Sequence, residues 1–110
     1  SDLVMAEFAY AFTVLEDEGL ANIADRNMAT EGYMFTPVGQ RDMLRDVMSV
    51  VRGVPNGRGL GVFYWDATWT AVPGNGWESG NPTSENAWEN KALFDFDAKA
   101  LPALSEYLSP

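Results

Sequence analysis

Three observations predict an α/β fold with parallel strands. Two short apolar runs, Leu3 to Glu7 and Leu60 to Trp65, are too brief for helices. Between them, residues 37–52 carry a capped amphipathic helix, and each run is followed by a long polar loop. A strand–helix–strand order with a helix of this length implies parallel strands joined by a right-handed crossover. Two such strands alone would leave exposed apolar edges. The chain therefore reads as the last quarter of a larger α/β barrel, a fold whose active site is built on the loops that follow the strand C-termini.

Each element has its own signal. Leu3-Val4-Met5-Ala6-Glu7 is apolar and abruptly ended, as a buried strand is. Residues 13–35 show no clean period: Glu16-Asp17-Glu18-Gly19 is an acidic turn, and Leu20 to Met28 has room for a short helical turn. Loops this long in compact domains are usually functional or disordered. Thr36-Pro37 starts a helix, with Thr as N-cap and Pro at the first helical position. Val38, Met43, Leu44, Val47, Met48, Val50 and Val51 give it an apolar side. Gln40, Arg41, Asp42, Arg45 and Asp46 are assigned mostly to the opposite side. Gly53 is a stop and Pro55-Asn56-Gly57 a turn. Leu60 to Trp65 is apolar throughout, as expected of a parallel strand covered on both faces. Residues 66–90 form a second long loop. Ala92 to Phe96 is apolar but broken by Asp95, and a last helix is expected from Asp97 or Ala98 to about Leu108, with Leu101, Leu104 and Leu108 on one side.

Composition excludes much chemistry. The 110 residues allow one small domain, with 7 basic against 16 acidic side chains and a formal net charge of −9. An acidic chain without a basic cluster argues against nucleic acid and anionic membrane surfaces as partners. There is no apolar stretch long enough to span a bilayer. Cysteine and histidine are both absent, which removes disulfides, thiol nucleophiles, Ser-His-Asp triads and the usual zinc sites. Carboxylates, Tyr, Lys, Arg or an oxygen-bound cation remain. Acid together with four Trp and no His is a balance common in carbohydrate-active proteins, where aromatic rings stack on sugar faces.

Glu7 is the outstanding candidate. A carboxylate at the end of an apolar strand, followed by Phe8, Tyr10 and Phe12, is costly unless it is paired, hydrogen-bonded or used. The structural alternative is a salt bridge, with Lys91, Arg58 and Arg52 as available partners. The strand also begins almost at residue 1, so the chain is expected to start within a larger protein.

The phrases GRGLGVFYWDATWTAVPGNGW and NAWENKALFDFDAKALPAL resemble the C-terminal end of family 53 glycoside hydrolases, the arabinogalactan endo-β-1,4-galactanases. VMAEFAYAFT is similar to the family's seventh-strand motif, and TPVGQRDMLRDVMSVVRGVPNGRG to the helix that follows it. The resemblance covers essentially the whole chain. It implies a TIM (β/α)8 barrel, of which this chain supplies strand 7, helix 7, strand 8 and helix 8. It implies that Glu7 is the nucleophile of a retaining mechanism, whose partner acid/base Glu lies after strand 4 and outside this chain. The isolated residues are accordingly expected to be inactive. Retaining chemistry needs two carboxyl groups roughly 5 Å apart, and Asp66 is the nearest second carboxylate here. The family more often has Glu at that position.

Further site residues follow from the same resemblance. Trp65 is expected to line the floor of the −1 subsite, where core packing is its alternative. Asp66, Trp69 and Trp77 are expected to contact the sugar chain. Tyr10 is placed near Glu7 or in plain packing; packing is also the alternative for Trp69 and Trp77, and Trp88 either meets the sugar or pins the loop to the barrel. Some bacterial members hold calcium in the first loop. Here the matching donors are Glu16, Glu18, the Leu20 carbonyl and Asn22, with Asn86 and Glu89 from the second segment, a feasible oxygen count for calcium. This chain departs from them in having Glu where they use Asp and Leu where they have His; a solvated acidic loop is the alternative. No cofactor is expected for the chemistry. The expected partner is galactan, with no nucleic acid and no membrane, for a monomer that is extracellular or periplasmic. A carbohydrate-binding module is the rival from outside the enzymes, although such modules are usually all-β. A calcium-stabilised interaction domain and a mannanase or glucanase barrel are the others.

Overall fold

The computed structural model describes residues 1–15, 22–70 and 87–108. Strand β1 spans Leu3–Phe8, helix α1 Pro37–Arg52 and strand β2 Gly59–Tyr64, and short 3-10 segments follow at Glu89–Lys91 and Pro102–Leu108. The two strands pair in parallel. The expected strand–helix–strand unit is present.

Helix α1 forms where its caps predict. The Thr36 hydroxyl accepts from the Gly39 amide at 3.0 Å and Pro37 occupies the first turn. Its inward stripe is Leu44, Met48 and Val51, which pack with Val62 of β2 and with Leu93 and Ala103 to form the core. Val38 and Val50, assigned to that stripe from sequence, are exposed instead. Gln40, assigned to the polar side, is fully buried. The reason is spacing: 40, 44, 48 and 51 follow one another at three- and four-residue steps and share one helix face. Gly53 ends the helix in a right-handed conformation (φ −74°). The left-handed positions expected of a stop fall at Asn56 and Gly57 instead. At Gly59 a Cβ would lie 1.6 Å from the Val51 carbonyl oxygen, so only glycine lets β2 start against the end of α1.

Two sequence expectations are corrected. β1 is not buried within this chain: Leu3, Val4 and Met5 are all exposed, because the described residues provide it one strand neighbour and only slight cover from α1. The last helix does not begin at 97 or 98. The Asp95 carboxylate accepts from the Asp97 and Lys99 amides at 2.9 Å each, and Ala98 adopts φ 60°. This turn pairs Phe94 with Ala100 in an antiparallel bridge. Pro102 cannot sit inside a helix but can begin one, and the 3-10 segment starts there. Leu101 is buried, whereas Leu108 is exposed.

Candidate active site at the ends of the parallel strands

The parallel register is interrupted where it matters. Met5 pairs with Val62 and Phe8 with Tyr64, so β1 carries three steps where β2 carries two, and the irregularity falls on Ala6 and Glu7. A bulge of this kind re-aims a side chain and is over-represented beside active sites. Glu7 is exposed. Among the described residues no cation is ion-paired with it: Arg58 lies 3.8 Å from Asp2, and Lys91 lies 3.9 Å from Asp66. Two of the three partners that a structural role would use are engaged elsewhere.

The end of β2 adjoins this point. The Trp65 amide donates to the Phe8 carbonyl at 2.7 Å, tying the residue after Glu7 to the residue after β2. Trp65 is 51% exposed, so core packing within this chain does not account for it. Asp66 follows in a left-handed conformation (φ 65°). Its side chain is 1% exposed and turned toward Lys91, so it is not open to a sugar chain, as had been expected of it. Burial pushes its carboxyl up, the Lys91 ammonium pulls it down, and the charge of Glu7 pushes it up again.

A buried polar hub stands behind these strand ends. The Gln40 Nε2 donates to the Tyr10 and Ala92 carbonyls at 2.9 Å each and to the Tyr64 hydroxyl at 3.2 Å. The Tyr64 hydroxyl donates to the Lys91 carbonyl at 2.7 Å and accepts from the Tyr10 amide at 3.1 Å. Burial pushes that hydroxyl up to about 12. The Tyr64 ring meets Phe8 edge to face, with centroids 5.9 Å apart. α1, the segment after β1, β2 and residues 91–92 thus meet at one point. Sequence reasoning missed both Gln40 and Tyr64, although the four-residue spacing from Gln40 to Leu44 carried the signal.

Tyr10 is buried and braces the loop that follows β1. Its hydroxyl donates to the Tyr33 carbonyl at 2.6 Å and accepts from the Thr30 amide at 2.8 Å, and its ring packs on Phe35. Trp69, 38% exposed, meets Trp88 edge to face at 5.9 Å. Trp77, Glu16, Glu18, Leu20 and Asn86 lie outside the described residues.

The two segments expected to share calcium do adjoin. The Ile23 amide donates to the Ala87 carbonyl at 2.9 Å. The buried Asn90 Nδ2 donates to the Thr13 and Ala24 carbonyls, both at 2.9 Å. The Asn22 Oδ1 is sequestered from solvent with no hydrogen-bond donor among the described residues, and Glu89 is fully buried. Among the described residues no group of three acidic side chains is poised for a metal. None of their helices is long and apolar enough to cross a membrane.

Comparison with known proteins gives a consistent picture. A family model described as glycosyl hydrolase family 53 matches residues 1–107. An endo-beta-1,4-galactanase of Bacillus subtilis is 30% identical over 131 aligned positions, covering 96% of this chain and 30% of the relative. Among solved structures, the GH53 catalytic domain of Ignisphaera aggregans superposes with a TM-score of 0.85 at 39% identity, covering 96% of this chain and 29% of that one. A structure of fungal beta-1,4-galactanases matches at a TM-score of 0.62 and 19% identity, covering 99% of this chain and 28% of that one, a likeness of fold alone. The chain thus spans about 30% of the length of the curated relative.

Proposed function

The chain belongs to glycosyl hydrolase family 53, and on that premise we propose that it forms the nucleophile-bearing part of an endo-acting β-1,4-galactanase that hydrolyses galactan with retention. The observation that carries this reading is the placement of Glu7. It is an exposed carboxylate on an irregularity at the end of a parallel strand, unpaired with any cation among the described residues. That end of a parallel sheet is where α/β barrels assemble their chemistry. The parallel strand–helix–strand unit fits a TIM barrel, with β1 and β2 as its strands 7 and 8, and does not fit an all-β binding module.

In this mechanism the Glu7 carboxylate attacks the anomeric carbon as the glycosidic bond breaks. The leaving oxygen takes its proton from a carboxylic acid supplied by the rest of the parent protein, about 5 Å from Glu7. Water, deprotonated by that same group, then releases the sugar and regenerates Glu7. The half-exposed Trp65 offers a ring face as the floor beside the reacting sugar, and Trp69 and Trp77 extend the stacking surface. Calcium, where bound, would be held by Glu16, Glu18, the Leu20 carbonyl, Asn22, Asn86 and Glu89. The sequestered Asn22 Oδ1 suits a hard cation, and the ion would cross-link two loops rather than enter the reaction. A polymeric substrate places the enzyme outside the cytoplasm, in the periplasm or medium, working as a monomer.

The test uses the full-length protein. Glu7→Gln keeps size and polarity and is expected to lower turnover of galactan at least about a thousandfold, as removal of a nucleophile does, with an unchanged melting temperature. Near-normal turnover would reject the role. A panel of galactan, mannan and β-glucan separates the galactanase from the related barrel glycosidases, and preference for mannan or glucan would reject the substrate.

A further inference from the structure

Asp66 combines three features that demand an explanation together. Its backbone is left-handed (φ 65°), a conformation Asp tolerates better than most residues but still at a cost, which persists only where the surroundings over-determine it. Its side chain is 1% exposed. Among the described residues no hydrogen-bond donor reaches either carboxylate oxygen. A buried carboxylate without donors is expensive unless a charge compensates it. The Lys91 ammonium, 3.9 Å from Oδ2 and itself largely covered, is that charge.

Lys91 is held from behind. Its carbonyl accepts from the Tyr64 hydroxyl at 2.7 Å, its amide donates to the Trp88 carbonyl at 3.0 Å, and the next carbonyl accepts from the Gln40 side chain at 2.9 Å. On the other side, Asp66 directly follows Trp65, whose amide is fixed to the Phe8 carbonyl at 2.7 Å. The path from a rigid base, through an ion pair, to the turn that ends β2 is continuous.

We propose that Lys91 is a positioning residue for Trp65: its ammonium clips the buried Asp66 carboxylate, fixing the left-handed turn that presents the Trp65 ring on the strand next to Glu7. This inference rests on the galactanase reading for its consequence in catalysis, but its structural content does not. Lys91 touches no sugar; it acts through Asp66 on the ring that does. Burial raises the Asp66 carboxyl and the Lys91 ammonium opposes that rise.

The experiment is on the full-length protein. The near-ultraviolet circular dichroism of wild type minus that of Trp65→Phe isolates the band that reports how firmly Trp65 is held. In Lys91→Met and in the milder Lys91→Gln, the same subtraction (each against its Trp65→Phe double variant) is expected to give less than half of that band. Lys91→Arg, which restores the charge, is expected to keep it. Galactan kcat/KM is expected to fall about tenfold in the two neutral variants, the order expected when a sugar-positioning group is displaced by a fraction of an ångström. An undiminished Trp65 band in both neutral variants would overturn the proposal. Because the band is read without substrate, it decides the role of Lys91 independently. A wild type that leaves galactan uncleaved would instead reject the proposed function.

Discussion

Replacing Gln40 by leucine removes a donor that serves three acceptors. The side chain is fully buried, and its Nε2 reaches the Tyr10 and Ala92 carbonyls at 2.9 Å each and the Tyr64 hydroxyl at 3.2 Å. The Tyr64 hydroxyl lies 3.0 Å from the Tyr10 carbonyl but already gives its single proton to the Lys91 carbonyl at 2.7 Å, so the Tyr10 carbonyl is left short of a donor. The Ala92 carbonyl loses the donor shown for it. Each hydrogen bond is worth about 1 kcal/mol net, and a buried carbonyl stripped of its partner costs about 1–3 kcal/mol. Against this, the Gln40 Oε1 is buried with no donor among the described residues, so its removal recovers about 1 kcal/mol. Leucine matches the volume and creates little cavity. The net expectation is a destabilisation of about 2–4 kcal/mol, read as a lower urea midpoint with unchanged slope in the full-length protein. Gln40→Glu is expected to be at least as damaging, since a carboxylate would face two carbonyl oxygens. A Gln40→Leu midpoint within about 0.5 kcal/mol of wild type would refute the hub as a source of stability.

Three further outcomes are expected. Gly59→Ala places a Cβ 1.6 Å from the Val51 carbonyl oxygen, a clash with backbone that cannot rotate away; a loss on the order of 2–4 kcal/mol checks it by urea unfolding, and a neutral substitution would contradict the packing. The Tyr64 hydroxyl, raised by burial from 10 to about 12, contributes stability that is fully present below pH 10 and lost as pH rises toward 12, about 2–3 kcal/mol in all; in urea titrations Tyr64→Phe should lack this part of the alkaline decline, leaving that of the other tyrosines. Addition of a chelator is expected to lower the melting temperature of the full-length protein and excess calcium to restore it, with catalysis per folded molecule unchanged; a melting temperature indifferent to both would leave the acidic loop merely solvated.

The parallel strand–helix–strand order was legible because its signals are local. Thr36-Pro37 caps and starts α1 as read, and the apolar runs locate β1 and β2 to within a residue. The last helix was misplaced because leucine spacing outweighed two local facts: the Asp95 side chain captures amides at 97 and 99, and Pro102 can only begin a helix. Gln40 was misassigned because residue type was weighed above position. Val50 looked inward by type and is exposed. The positions of Glu7 and Trp65 at the strand ends were legible, because the apolar runs that define β1 and β2 stop there. The turning-in of Asp66 was not legible, because it depends on a left-handed backbone and on Lys91, residues far apart in the chain. The open face of β1 follows from what surrounds it here, which no pattern within six residues encodes.

The central claim is that Glu7 becomes covalently bonded to the sugar. The direct measurement is to treat the full-length protein with an activated 2-deoxy-2-fluoro galactobioside, which slows release of a glycosyl-enzyme, and to locate the label by mass spectrometry of peptides. The account predicts a single added galactobiosyl group on Glu7, absent in Glu7→Gln. A label on another carboxylate, or galactan cleavage with inverted configuration and no labelling, would contradict it.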